Sequence, residues 1–106
     1  MKLRGPLIIP NAKLTQYLLV FQATNDKSKF LAQAGFTQSN PEQLNQAILN
    51  LAQTYDAVSD RQDKYGTFYC VEGTLIGPTG TLAVVTVWIE RAVDNTIQFV
   101  TLKPKR

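Results

Sequence analysis

Apolar residues change their spacing once along this chain, near residue 60. Before that point they recur three and four positions apart, as in amphipathic helices, and after it they alternate, as in strands. Helices followed by strands are typical of an α+β domain. The pattern therefore predicts two to three N-terminal helices packed on one face of a three- to four-stranded antiparallel meander sheet.

The predicted helices begin with recognisable signals. Asn11 is placed to cap the first helix, over residues 13–21, and the second helix begins at Asp26 or Ser28. Gly35 is expected to end the second helix in a left-handed conformation, with Phe36 packing back on it. The apolar stripe of the first helix comprises Leu14, Tyr17, Leu18 and Phe21.

The third helix has the clearest start. Asn40 is its predicted cap, Pro41 occupies the first turn, and its apolar stripe follows at helical spacing. A stripe of this width predicts that one side of the helix faces the core. Its members are Leu44, Ala47, Ile48, Leu51 and Tyr55.

The second half of the chain predicts three antiparallel strands joined by short turns. They start at Tyr65 and continue over 81–91 and 96–102, after a charged connector over 56–64. Glycines and Asp94-Asn95 mark the turns. An extended arm over residues 1–10 would add a fourth strand at an edge. The domain prediction is thus one domain over 1–106, with the arm, a helical layer over 11–55 and the sheet over 65–102.

Both faces of the middle strand are apolar, which indicates that one of them is covered by something other than the helices. Alternation puts Val85, Val87 and Ile89 on one face. Because only one face can pack on the helices, the other is expected to be covered by the arm or by a second subunit. This pattern predicts a homodimer. The opposite face is expected to carry Phe68, Leu82, Val84 and Trp88.

Composition excludes several kinds of chemistry. The 106 residues include no histidine, so neither a Ser–His–Asp triad nor a histidine zinc site can form. A single cysteine, Cys70, excludes an intrachain disulfide and indicates a reducing cytoplasm. The apolar stretch over 7–9 is too short for a membrane span. A net charge of +3 permits nucleic-acid binding but is mild. We expect no metal and no cofactor.

Several polar or aromatic residues are candidates for a functional site, although the general preferences of helices and strands also account for each of them. Lys13 and Lys29 lie near helix starts, where positive charge is unfavourable, although the cost at an exposed position is only about a few tenths of a kcal/mol. Thr86, Trp88 and Thr101 place hydroxyls and an indole on strands, where packing alone accounts for such residues.

Short motifs are spread over nearly the whole chain. They are Asn11-Ala-Lys13, Lys27-Ser-Lys29-Phe, Ala34-Gly35-Phe36, Tyr65-Gly66, Gly77-Pro-Thr-Gly80, Thr86-Val-Trp88 and Val100-Thr101. In this order they resemble a family of small uncharacterised bacterial domains, common as stand-alone cyanobacterial proteins and also found at the C-termini of polymorphic contact-dependent toxins. That family is similar in turn to the barnase/EndoU/colicin/RelE-type ribonuclease fold, in which helices precede a curved antiparallel sheet.

The resemblance implies a metal-independent endoribonuclease acting on RNA, with a neutralising protein as partner. In such enzymes the 2′-hydroxyl attacks the adjacent phosphate; many use a histidine, but RelE-like relatives use lysine, arginine and tyrosine. Lysines would neutralise the developing charge, threonines would bind phosphate oxygens, and Tyr65 or a lysine would move the proton. The implied catalytic residues are Lys13, Lys29, Thr86 and Thr101, and the implied substrate-binding residues are Tyr65 and Trp88.

A second hypothesis is a non-catalytic protein-interaction or binding domain, which would be a dimer because its second sheet face needs a cover. The missing histidine and the lack of a clear general base favour it. Whether the chain is an enzyme is left open by its sequence.

Overall fold

The computed structural model describes residues 2–3, 6–14 and 27–105 of the chain. Three helices and five strands are assigned within these residues, and they combine into a mixed α+β fold. In chain order they are β1 (Leu7–Ile8), α1 (Asn11–Lys13), α2 (Lys27–Ala32), α3 (Pro41–Thr54), β2 (Ala57–Asp63), β3 (Gly66–Ile76), β4 (Thr81–Arg91) and β5 (Ile97–Pro104).

The strands form one five-stranded sheet in the order β1-β5-β4-β3-β2. Strands β2 to β5 are an antiparallel meander, whereas β1 pairs parallel to β5, with Leu7 opposite Ile97. The α+β class and the meander are confirmed. The predicted three- to four-stranded, all-antiparallel sheet is wrong, because it lacks β2 and because the arm joins in the parallel direction.

Strand β2 occupies the segment predicted as a charged connector. Of its residues only Ala57 is buried, and the other six are exposed. Its backbone pairs with β3 from Ala57 opposite Val71 to Asp63 opposite Gly66, with an irregularity between Ser59 and Gln62. An edge strand with almost no buried side chain has no alternating apolar pattern, so only its pairing reveals it.

The end of α2 follows the prediction closely. Gly35 has φ of +92°, its N–H donates to the Ala32 carbonyl, and the Phe36 N–H donates to the Leu31 carbonyl at 3.2 Å. These two bonds define a Schellman motif, which caps the last carbonyls of a helix. Phe36 is buried at 1% exposure, so the chain turns back into the core as expected.

Helix α3 begins at the predicted position and buries four of its five predicted stripe residues. Asn40 occupies the N-cap position and Pro41 the first turn, but the Asn40 side chain makes no capping bond. Its amide instead accepts a hydrogen bond from the Thr37 N–H at 2.8 Å and donates to the Gly35 carbonyl at 3.1 Å. It thereby ties the α2 end to the α3 start. The stripe residues Leu44, Ala47, Ile48 and Leu51 are buried, together with Ala52. Tyr55, the last predicted stripe residue, lies just after the helix in an extended conformation and is half-buried.

The start of the first helix differs from the prediction. Pro10 is the residue at the N-cap position, so Asn11 is the first helical residue and not the cap. Proline fixes φ near the helical value and lacks the N–H that a helix start leaves unpaired, which suits it to this end. Leu14 is buried at 2% exposure. The other predicted stripe members, Tyr17, Leu18 and Phe21, lie outside the described residues.

The core lies between the helices and one face of the sheet, which we call the inner face. Trp88 and Phe99 meet there edge to face, with ring centroids 5.4 Å apart. The turn between β3 and β4 docks on the end of α2, where the Thr79 N–H donates to the Ala34 carbonyl at 3.0 Å. The largest buried side chains besides these rings are Leu31, Phe36, Leu44, Ile48, Val71, Leu75, Val84 and Leu102.

Candidate functional site

Two of the predicted site residues, Thr86 and Trp88, lie in the interior. Both are fully buried on the inner face of β4. The Trp88 Nε1–H donates to Thr86 Oγ1 at 2.9 Å, and that hydroxyl donates to the Val71 carbonyl at 3.0 Å. Buried polar groups need such partners. This arrangement fits the packing explanation of both residues, because neither can reach a ligand in solvent.

The other predicted site residues lie on separate elements. Lys13 ends α1 and is half-exposed, and Lys29 is exposed on α2. Tyr65 is 65% exposed in the turn between β2 and β3, with the Lys64 ammonium 5.1 Å from its ring centroid. These residues are accessible, but they come from three different parts of the chain.

Thr101 lies on the opposite face of the sheet from Thr86. It is half-buried on β5 and pairs with Val87, whereas Thr86 pairs with Leu102. Residues directly opposite in a sheet share a face, and successive residues alternate. The structure therefore does not bring the two threonines together, and the predicted catalytic set has no common surface that includes Thr86.

The face that carries Thr101 is unusual in being apolar at its centre. Val85, Val87 and Ile89 of β4 are half-buried there, and Phe68 of β3 lies directly opposite Ile89. Within the described residues, the core cluster draws no member from this face. We call this surface the outer sheet face. It comprises Val58, Asp60, Arg61, Phe68, Cys70, Glu72, Val85, Val87, Ile89, Gln98, Thr101 and Lys103.

The prediction for Phe68 is wrong in one respect. It was expected on the same face as Trp88, but the register pairs Phe68 with Ile89 and Tyr69 with Trp88. Phe68 therefore faces outwards and leaves Tyr69 to pack against the core. The guanidinium carbon of Arg61 lies over the Phe68 ring, 4.4 Å from its centroid. This cation–π contact adds an aromatic and an arginine to the outer sheet face.

Charges of opposite sign flank the apolar centre. Val85 of β4 has Lys103 of β5 beside it on one side and Glu72 of β3 on the other. Lys105 reaches Glu72 with an N–O distance of 3.2 Å, and both side chains are about half exposed. Asp60 of β2 adds negative charge beyond β3. Acidic groups thus lie on the β3 side of β4, together with Arg61 over Phe68, and Lys103 lies on the β5 side.

Cys70 lies beside this acidic group, at a depression of about 350 Å³ lined by Asp56, Val58, Ser59, Asp60, Cys70 and Glu72. Burial raises the pKa of its thiol, the Asp60 and Glu72 carboxylates add to the rise, and the Lys103 ammonium opposes it. A raised thiol pKa means less thiolate, which is the nucleophilic form. Cys70 is therefore poorly suited to be a nucleophile.

Two further findings concern only the part of the chain that the structure describes. No group of three or more histidine, cysteine, aspartate or glutamate side chains there is arranged to hold a metal ion. No helix there is long and apolar enough to cross a membrane.

Sequence reasoning identified the apolar residues of β4 but missed the contribution of β2. Val58, 68% exposed, pairs with Cys70, and Arg61 stacks on Phe68. The only available signal was the apolar Ala57-Val58 pair at the start of the charged segment. That signal is too short to predict a strand.

The chain belongs to a family defined by a domain of unknown function, DUF6883, whose model matches residues 5–106. No curated protein and no solved structure matches the chain. Membership supports the expectation of an uncharacterised domain family and leaves its link to toxins and ribonucleases as a hypothesis.

Proposed function

We propose that this member of the DUF6883 family is a non-catalytic protein-interaction domain that binds its partner through the outer sheet face. One observation carries the proposal: Phe68, Val85, Val87 and Ile89 form an apolar patch that the core of the described residues does not use. The function is to hold two protein chains together, and no chemical step is assigned to the domain.

The physical basis is the composition of the two faces of the sheet. In an antiparallel sheet with one solvated face, the solvated face normally carries polar residues. Here Val85, Val87 and Ile89 lie on that face in the longest strand pair, where each is partly exposed, unlike the fully buried side chains of the inner face. Covering such side chains removes apolar area from water at about 25 cal/mol per Å². A partner that covers them is therefore stabilised by the same effect that forms the core.

Polar features of the patch also suit protein binding. Interface cores are enriched in aromatic residues and arginine, which the stacked Arg61–Phe68 pair supplies. The Glu72–Lys105 pair lies at the margin of the apolar centre and is half-exposed, as ion pairs at an interface rim are. A cytoplasmic location is part of the proposal, because it keeps the single Cys70 thiol reduced.

The test uses a tagged chain as bait in a bacterial extract. Val87→Asp places a charge in the centre of the outer sheet face, and Val93→Asp makes the same change at a position that is 76% exposed in the β4–β5 turn. We expect wild type and Val93→Asp to retain the same identified protein and Val87→Asp to lose it. Binding of that protein, purified, must show the same dependence.

A gentler variant guards against misfolding of Val87→Asp. Val87→Thr keeps the β-branched shape and replaces one methyl group with a hydroxyl, so it should fold and weaken binding less. Circular dichroism and a thermal melt establish that each variant is folded. The proposal would end if wild type retained nothing beyond what folded Val87→Asp retains and also showed no self-association that Val87→Asp abolishes.

The second candidate function is the metal-independent endoribonuclease, toxin-like and paired with a neutralising protein. The exposed Lys29 and half-exposed Lys13 on successive helices favour it, together with the net charge of +3. Its test is incubation with total RNA in EDTA, comparing wild type with Lys29→Ala. Cleavage lost in Lys29→Ala supports it, whereas intact RNA with both proteins and no RNA binding at low salt removes it.

A further inference from the structure

The outer sheet face has a left–right asymmetry about its central strand. Strand β4 contributes the apolar line Val85, Val87 and Ile89. Strand β3, on one side, carries Glu72, and β5, on the other side, carries Lys103 at the same height, since both pair with Val85. Glu72 already has the Lys105 ammonium of its own chain at 3.2 Å, but its side chain is half-exposed and has room for a second cation. A partner surface that fits this face needs an apolar centre, a cation near Glu72 and an anion opposite Lys103.

The outer sheet face itself meets this requirement, and we infer that the partner is a second copy of the chain, packed face to face about a two-fold axis parallel to β4. The inference rests on the proposed function, because it names the partner of the same surface. In this arrangement Glu72 of each copy lies opposite Lys103 of the other, and Val87 lies near the axis.

The direction of the axis follows from the charges. A two-fold axis along β4 exchanges the two sides of the face, so that β3 of one copy lies over β5 of the other. An axis across the strands would instead place β5 over β5 and β3 over β3, so that Glu72 of one copy could not face Lys103 of the other. Juxtaposed like charges oppose association and opposite charges set register. The first arrangement is therefore the favoured one.

The remaining positions are compatible with this packing. In this packing Arg61 and Phe68 would lie opposite the part of the second copy that contains Gln98. None of the described residues paired at that position along the strands is a cation. Face-to-face sheets pack with their strands within about 30° of each other and about 10 Å apart. Because β3 and β4 have 11 residues each, the shared face extends about 35 Å along the strands.

The experiment uses two charge-reversal variants, Glu72→Lys and Lys103→Glu. Each alone puts like charges opposite each other in the dimer, whereas an equimolar mixture restores both opposite-charge pairs. We expect wild type to have twice the 11.8 kDa mass of one chain by light scattering. Each variant alone should dissociate with a dissociation constant at least about tenfold higher, and the mixture should regain the doubled mass.

The matched control makes the same charge changes on the helices that pack on the inner face. Glu42→Lys and Lys29→Glu are both at exposed positions, and each alone should dimerise like wild type. A wild-type chain that stays monomeric, or a mixture of Glu72→Lys and Lys103→Glu that stays monomeric, overturns the inference. Neither result removes the proposed function if a different protein still binds in a way that Val87→Asp abolishes.

Discussion

The indole of Trp88 donates a hydrogen bond to the hydroxyl of Thr86, two residues earlier on the same face of β4, at 2.9 Å. The same hydroxyl donates to the Val71 carbonyl on β3, so one side chain satisfies two polar groups of the core. Satisfied polar groups of this kind stabilise a core only while every member of the set is present.

The first prediction concerns that hydroxyl. Thr86→Val keeps the shape of the side chain but leaves the Trp88 indole without its acceptor, so we expect a loss of about 1–3 kcal/mol in the free energy of unfolding. Thr86→Ser keeps the hydroxyl and loses one methyl group, at about 0.8 kcal/mol. Urea unfolding of both variants measures the difference. Equal stability of Thr86→Val and wild type would show that the two bonds contribute nothing.

The second prediction concerns Gly66 at the start of β3. Its φ of +153° is rarely adopted by other residues, and a Cβ there would collide with the Glu90 carbonyl. Gly66→Ala should therefore cost about 1–3 kcal/mol from the backbone conformation, and more from the collision. Gly80→Ala is the matched control, since a Cβ there would meet no atom closer than 3.5 Å. Thermal unfolding should separate the two variants clearly.

The third prediction is the pH dependence of Cys70 alkylation. Because burial and the Asp60 carboxylate raise the pKa of the thiol above 9.0, the rate of reaction with iodoacetamide should reach half its maximum above pH 9.0. Asp60→Asn should lower that midpoint, and Lys103→Gln should raise it. Shifts in the same direction for both variants would contradict the assigned causes.

The same raised pKa affects stability at alkaline pH. The folded chain keeps the Cys70 proton to a higher pH than the unfolded chain, whose thiol titrates near 9.0. The contribution of the protonated thiol to the free energy of unfolding is complete below pH 9.0, and it is lost as the pH rises through the pKa of the folded thiol. Cys70→Ser should reduce the fall in the urea midpoint over that range.

The fourth prediction concerns Asp94 in the β4–β5 turn. The Thr96 hydroxyl donates to its carboxylate at 2.7 Å, and with the Thr96 N–H this holds the Asp94 pKa below 3.8. The stabilisation is present above pH 3.8 and is lost as the pH falls through the pKa of the folded state. Thr96→Val should raise the Asp94 pKa in an NMR titration. An unchanged value would exclude the hydroxyl as its main cause.

Local signals in the sequence determined the ends of α2 and α3 and the long strands of the meander. Gly35 and Phe36 form the predicted Schellman turn, Pro41 lies in the first turn of α3, and Thr81–Arg91 is a strand with the predicted bounds. These features depend on backbone conformations and side-chain spacings that belong to the segment itself, so the sequence alone carries them.

The tertiary structure decided β2 and the direction of β1. Ala57–Asp63 is a strand only because β3 offers its backbone as a partner, since six of its seven side chains are exposed. Leu7–Ile8 pairs in parallel with β5. Neither segment carries an amphipathic pattern. Hydrogen bonds to a distant segment do not depend on the spacing of apolar residues within a segment, so that spacing cannot predict them.

The make-up of the outer sheet face likewise depended partly on the sequence and partly on the tertiary structure. The sequence determined that both faces of β4 would be apolar, and that Val85, Val87 and Ile89 would share one of them. Only the register between strands decided that Phe68 joins these residues and that Thr86 and Trp88 are enclosed in the core. The physical reason is that alternation assigns side chains to two faces within one strand, while pairing between strands decides which faces coincide.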